Sequence, residues 1–553
     1  MTQYHNVKTS LQIPSSIAAT PLLDMKSTSQ VPPVTATHTV PPPLTIDCLE
    51  EILNHLLDSR ESLHSCILVN RIWSQLAMPL LWYNPFGSRL RGQQAINIFD
   101  SYISCLPEEL KDQMLTRGVY FSDLSKPLFD YPKYLRGFDW FNFQMAVREW
   151  VETFYYHRGY DFSNKIIFLE KFMASFLLGR CNGLRILRLE SNSSTSVSML
   201  DLLNTFNFRF LFSKIEKFEV QYNTFSNDWG PKAESISLFS TKLAACSRNI
   251  QHIKLSIETC RPNYLPLYIC EAFWYLIEKQ KNLKILDISE FWNPEKSDLF
   301  YSSLIKQSHS LTFLSLRHIS KLTLLLQFLT SCKNLETLEL WTIPVADMEA
   351  LMCLSSSSTH LSIKKLRCYD VDRDPELTLG IIILMTNWNL KELHLLKVTP
   401  KLLEVISQYC PNLTCLHLNL NKSLLMKLLK YISTLSLDTL GLINQDKTPF
   451  SIESLQEIAR AIPPTTRNLE INFFMTSQGL QYFLWKFRGT LRKLVISNDN
   501  LNDQYLAVIT YYAKSKNLQE FWFPRPEMFS SEALENAKFF IPIVQSMKPR
   551  TWE

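Results

Sequence analysis

Apolar and polar positions along this chain fall into one short phrase, Asn-Leu-x-x-Leu-x-Leu, which returns along most of its length. The clearest copies begin at Asn282, Asn334 and Asn412. Marked by its first apolar position, the phrase occurs at Leu184, Ile215, Ile250, Leu283, Leu311, Leu335, Ile363, Leu390, Leu413, Leu437, Thr466, Leu491 and Leu518. The spacing runs from 23 residues (Leu390 to Leu413) to 35 (Ile215 to Ile250). Thr466 is a poor match, but Leu469 and Ile471 keep the other two positions. Alternate residues of a strand face opposite sides, so the last two apolar positions point to a core and the residue between them points out. Those middle residues are Arg188, Glu219, Lys254, Asp287, Ser315, Glu339, Arg367, His394, His417, Gly441, Glu470, Val495 and Trp522. Most are polar or charged between apolar neighbours, the alternation that a strand with one buried face requires.

The segments between copies predict helices. Lys401–Cys410 and Ser451–Ala461 carry apolar residues at three- and four-residue spacing. A strand, turn, helix and return repeated at this period is a solenoid whose units bury their apolar faces only against one another. The expected fold is therefore α/β, a leucine-rich-repeat solenoid shaped as a horseshoe, with parallel strands on the concave face and helices on the convex face. Cys181, Cys332 and Cys410 each precede a repeat's first apolar residue by three positions, which reads as a small buried hydrophobe. No C-x-x-C spacing is present, so no metal and no cofactor are expected.

Composition narrows the function classes. Only 12 glycines occur among 553 residues, and neither a P-loop nor a dinucleotide fingerprint is found. A net charge of +5 gives no case for a nucleic-acid partner. No run of about 18 uncharged apolar residues suggests a membrane span. Twelve cysteines without a secretion signal suggest reduced thiols, hence cytoplasm or nucleus.

The front of the chain differs in character. Residues 1–43 are rich in Ser, Thr and Pro and are expected to be a disordered tail. Residues 44–86 predict three short helices. Asp47 is the expected N-cap of the first, with Glu50 as its capping-box partner and a stripe of Leu49, Ile52, Leu53, Leu56 and Leu57. The second should carry Leu63, Cys66, Ile67 and Asn70, and the third Trp73, Leu76, Ala77 and Leu80. So small a unit has a meagre core and often leans on a partner.

Leu44, then Leu49-x-x-Ile52-Leu53-x-x-Leu56, then Leu63-His-Ser-Cys-Ile-Leu-Val69-Asn-Arg-Ile-Trp73 resembles an F-box. Followed by repeats, the chain resembles the F-box/leucine-rich-repeat family, its fungal members in particular. Where that family usually has Pro after its first Leu, this chain has Thr45. The resemblance implies a non-catalytic substrate-recognition subunit of an SCF-type ubiquitin ligase. Its F-box would bind a Skp-family adaptor, and through it a cullin and a RING subunit, in the ubiquitin-conjugation pathway of protein degradation. The positions that match the adaptor-facing and box-core residues are Leu44, Leu49, Ile52, Leu53, Leu56, Val69, Asn70 and Trp73. The alternative is a protein-interaction scaffold or inhibitor outside any ligase. No paired carboxylates or nucleophile motif favour an enzyme.

Residues 87–180 form an aromatic-rich connector, expected to hold degenerate first repeats, with Leu135–Trp140 as a first strand. A functional aromatic platform is the other reading. The repeats proper are expected over 181–553, with a protein substrate on a ladder of Arg188, Lys254, Asp287, Arg317, Glu339, Trp341, Arg367, His394, His417 and Trp522. Its mixed signs suit a protein better than a phosphate-lined partner. Arg317, Trp341 and Trp522 are the expected anchors, because Trp and Arg dominate interface hot spots. His394 and His417 should stack side by side, with Glu392 and Cys415 near in sequence.

Overall fold

The computed structural model describes residues 44–547, apart from 58, 122–124, 156–161, 192–199, 201–202, 204–205, 207, 225–229, 260–265, 290–295, 318, 320, 345–360, 370–374 and 445–447. The tail 1–43 lies outside the described residues. The chain divides into two compact units, residues 1–52 and 53–553.

The first unit contributes the start of helix α1 (Ile46–Asn54). Asp47 does not cap it. The Thr45 hydroxyl accepts a hydrogen bond from Cys48 N at 3.4 Å, and the Thr45 carbonyl accepts from Leu49 N at 3.1 Å. Threonine is a good N-cap, so Thr45 starts the helix, and Asp47 falls in the first turn. Leu49 is buried, while Leu44 and Ile52 are exposed.

The second unit opens with α2 (Arg60–Ile67) and α3 (Arg71–Leu81). Asn70 is not on the second helix as its pattern suggested. It is the N-cap of α3, its Oδ1 accepting from Ile72 N at 2.9 Å and Trp73 N at 3.1 Å. Leu53, Leu63, Cys66 and Ala77 form a small core with Leu56, Trp73, Leu76 and Leu80 packed at its margin. Leu56 and Leu57 lie past the end of α1, and Leu57 is exposed, which breaks the expected stripe.

The connector folds as packing, not as a platform. Phe99, Phe138, Phe143 and Trp150 are fully buried, and Phe143 meets the buried Phe86 of the preceding segment edge-on at 5.3 Å between centroids. Within it Gly137–Asp139 forms the first strand.

Fifteen parallel strands then stack in chain order among the described residues. They are β1 (Gly137–Asp139), β2 (Ile186–Ser191), β3 (Lys217–Thr224), β4 (His252–Thr259), β5 (Ile285–Ser289), β6 (Phe313–Arg317), β7 (Thr337–Trp341), β8 (Lys365–Cys368), β9 (Glu392–Leu395), β10 (Cys415–Leu420), β11 (Thr439–Asn444), β12 (Asn468–Asn472), β13 (Lys493–Ile496), β14 (Glu520–Phe523) and β15 (Ile543–Ser546). The thirteen copies read from the sequence are β2 to β14. β1 is the degenerate strand expected at Leu135–Trp140, and β15 has no Leu-rich phrase to announce it. An open, wholly parallel sheet with helices on one side is the leucine-rich-repeat solenoid.

Each repeat is built as its pattern requires. Leu338 and Leu340 of β7 are fully buried, as are Leu416 of β10 and Leu440 of β11. The helix Pro400–Tyr409 begins with the Thr399 side chain capping Leu402 N and Pro at its first position, and it buries Leu402, Leu403 and Ile406. Cys181, Cys332 and Cys410 are buried with free thiols, as small core residues. Among the described residues, no helix is long and apolar enough to cross a membrane.

Candidate interaction groove on the strand face

The middle residue of every copy aligns across the sheet. Successive strands pair Asp139 with Arg188, then Glu219, Lys254, Asp287, Ser315, Glu339, Arg367, His394, His417, Gly441, Glu470, Val495, Trp522 and Gln545. This continuous row is the ladder expected from the sequence. Outward-facing is not the same as exposed, however. Glu219, Ser315, Glu470 and Val495 are buried beneath their neighbours' side chains.

The row's charges are spent largely on one another. Arg188 Nη1 donates to Asp139 Oδ2 at 3.2 Å, and Arg188 Nε donates to Glu219, which also meets Lys217 at 2.8 Å. Burial pushes the Glu219 carboxyl up, but hydrogen bonds from Lys217 and Arg188 outweigh it and hold the group below its usual range. Asp139, with fewer partners, is pushed up by burial. Lys254 meets Asp287 at 3.4 Å. Arg367 bridges Glu339 at 2.7 Å and Glu392 at 2.9 Å. Such cross-strand pairs bind neighbouring repeats together.

A second row, two residues further along each strand, also faces out. It is polar in the early repeats, where Ser289 Oγ donates to Ser256 Oγ at 2.7 Å. From β6 onward it changes. Arg317 lies 4.6 Å over the ring of Trp341, which in turn stacks on Tyr369 at 3.7 Å between centroids and 18° between planes. Burial pushes the Tyr369 phenol up to about 12.

Between the two rows, over β7 to β15, runs a groove of about 490 Å³. Trp341 and Tyr369 stand at one end, Pro524 and Met547 at the other, with Leu396, Asn419 and Ile443 between. His394, His417 and Glu470 contribute from the middle row. Asn419 Oδ1 is buried there with no hydrogen-bond partner, an acceptor set into a mainly apolar wall.

The two histidines meet as expected, their rings 4.2 Å apart and 6° from parallel. His394 Nε2 hydrogen-bonds Glu392 Oε1 at 3.0 Å. That bond, with others from Arg367 and Lys365, holds the Glu392 carboxyl well below its usual range against its partial burial. His417 Nδ1 leans past Gly441 to within 3.7 Å of Glu470 Oε2. Sequence reasoning placed Arg317, Trp341, His394 and His417 at this groove or its rim. Arg188, Lys254 and Asp287 lie on β2, β4 and β5, away from it. Trp522 sits in the middle row of β14, its Nε1 donating to Glu520 at 3.0 Å under Lys493 Nζ at 4.5 Å. Tyr369, Asn419, Ile443 and Glu470 were missed as groove residues. The signal that finds Tyr369, Asn419 and Ile443 is position: the residue two beyond each middle position faces the same side, whereas Glu470 holds a middle position itself.

No protein-family model matches the chain, and no curated protein matches it. Solved structures do. A yeast complex of Rad7 and Elc1 matches at 14% identity and TM-score 0.35, over 70% of this chain and 90% of that one. The leucine-rich repeat-containing protein LegL7 of Legionella pneumophila matches at 10% identity and TM-score 0.26, over 65% and 88%. A Bacteroides fragilis protein matches at 11% identity and TM-score 0.21, over 66% and 74%.

Proposed function

We propose that the chain is the substrate-recognition subunit of an SCF-type ubiquitin ligase, acting in cytoplasm or nucleus. The observation that carries the reading is the corner between α2 and α3. Leu68, Val69 and Ile72 are 75%, 59% and 51% exposed there, although the same short segment buries Leu63, Cys66 and Ala77. Three adjacent large apolar side chains left in water on a unit with so small a core are what a docking surface needs. A Skp-family adaptor is the partner that the F-box resemblance supplies, with a cullin and a RING subunit behind it.

The repeat groove is the complementary half. Its apolar walls, the Trp341–Tyr369 stack and the unsatisfied Asn419 acceptor suit a segment of another protein. Holding that protein beside a charged conjugating enzyme raises its effective concentration, so this chain needs no bond-making residues of its own.

The test is co-expression of the full chain with a Skp-family adaptor. The wild type should co-purify, and the double variant Val69→Asp, Ile72→Asp should not, while melting at the same temperature. A wild type that folds and never retains the adaptor would favour an interaction scaffold outside any ligase.

A further inference from the structure

Cys415 and His417 lie two apart on β10 and so project from the same face, and His394 stands beside His417 in register on β9. One donor atom from each of these three side chains lies within 4.8 Å of the others. Each residue is half-buried. Among the described residues no other group of three His, Cys, Asp or Glu side chains comes so close. We propose that His394, Cys415 and His417 form a zinc-binding site on the strand face, with a fourth position open to the groove that both histidines line.

The donor set suits the ion. Zinc is borderline soft and takes imidazole nitrogen at about 2.1 Å and thiolate sulfur at about 2.3 Å, three protein ligands leaving one exchangeable position. Tetrahedral bonds of those lengths set the donors roughly 3.4 to 3.6 Å apart, so the triad closes by at most about an ångström. Parallel rings direct their lone pairs side by side, so one imidazole must also turn about its Cβ–Cγ bond. The His417 ring already sits in the space over Gly441, where a Cβ would stand 2.1 Å from its Nδ1, so it is held there only while residue 441 lacks a side chain. The surroundings fit as well. A carboxylate stands beside each imidazole, Glu392 at 3.0 Å from His394 and Glu470 at 3.7 Å from His417. A hydrogen-bonded outer-shell carboxylate such as Glu392 fixes the tautomer of a metal-binding histidine and raises its basicity.

Charge and protons balance simply. Burial, with Glu392 nearby, pushes the Cys415 thiol up to about 12, so the metal-free side chain is neutral. Zinc replaces the thiol proton, which leaves to solvent, and one thiolate against a dication leaves a single positive charge facing Glu392. The site stands apart from the ligase reading, because it concerns binding of an ion and needs no adaptor.

The probe is cobalt(II), added to reduced, chelator-stripped, untagged full-length protein. One equivalent should give the visible bands of tetrahedral cobalt and a near-ultraviolet thiolate-to-cobalt band, both abolished by one equivalent of zinc. Cys415→Ser should lose the thiolate band, and His417→Gln should weaken cobalt binding at least tenfold while keeping the wild-type circular dichroism. The His417→Gln variant carries the test if Cys415→Ser misfolds. A wild type with no thiolate band overturns the proposal, and so does a band that survives in Cys415→Ser.

Discussion

His417 fills the space that Gly441 leaves empty. A Cβ at residue 441 would lie 2.1 Å from His417 Nδ1, and through that gap the imidazole approaches Glu470, two strands away, at 3.7 Å. A glycine in the middle row thus lets one side chain span a whole repeat.

Gly441→Ala should therefore push His417 aside and separate it from Glu470. The ring can swing, so the expected cost is about 1–2 kcal/mol, at the low end for overpacking. Backbone hydrogen exchange should quicken in β10 to β12 and stay unchanged in β2 to β5, since repeats couple chiefly to their neighbours. Unchanged exchange at β10 to β12 would contradict the packing described.

Glu392 accepts hydrogen bonds from His394 and Arg367 and meets Lys365 at 3.1 Å. Its carboxyl is depressed in the folded chain, so its contribution is present above the unfolded value of about 4.3 and is lost as pH falls towards the folded one. Glu392→Gln should cost about 1–2 kcal/mol at pH 7, and the gap between wild type and variant should close in melts taken progressively below about pH 4. A gap that persists in acid would mean the effect is not ionic.

The residues of the first three helices divide by role. Leu53 is fully buried, so Leu53→Ala should cost about 2–4 kcal/mol. Asn70 caps α3, so Asn70→Ala should cost about 1 kcal/mol and Asn70→Ser almost nothing. Val69→Asp should leave the melting temperature where it is. Thermal unfolding of the four variants checks the division, and a destabilising Val69→Asp would assign that residue to the core.

Trp341 is held between Arg317 and Tyr369. Trp341→Ala should cost about 2 kcal/mol, less than a fully buried Trp, through loss of the ring stack and the cation above it. Trp341→Phe should recover most of it. Equal melting temperatures for Ala and wild type would show that the column contributes nothing to packing.

The repeats were legible because their physics is periodic. Leu338 and Leu340, or Leu416 and Leu418, alternate with one outward residue, and one repeat's pattern predicts the next. The strand register from Arg188 to Trp522 follows from that alternation alone. What escaped was aperiodic. β15 carries Val544 and Ser546 at the two positions where most other repeats carry Leu or another large apolar residue, and it is found only because its backbone pairs with β14. Asp47 matched a capping box, yet Thr45 two residues earlier took the cap, because cap identity depends on where the first turn starts. The connector aromatics gave no sign of facing in or out until Phe99, Phe138 and Phe143 were seen packed together. The groove was half legible: Trp341 and the histidines stood out by residue type, whereas Asn419 and Ile443 are ordinary residues made notable only by the neighbours around them.

The central claim is that the exposed apolar corner of α2 and α3 docks an adaptor while the repeats hold another protein. Calorimetric titration of a purified Skp-family adaptor into the intact chain tests it most directly. The account predicts saturable one-to-one binding, lost in the Val69→Asp, Ile72→Asp double variant and unchanged in Trp341→Ala. No heat of binding with a correctly folded wild type, or binding that is indifferent to residues 69 and 72, would contradict it.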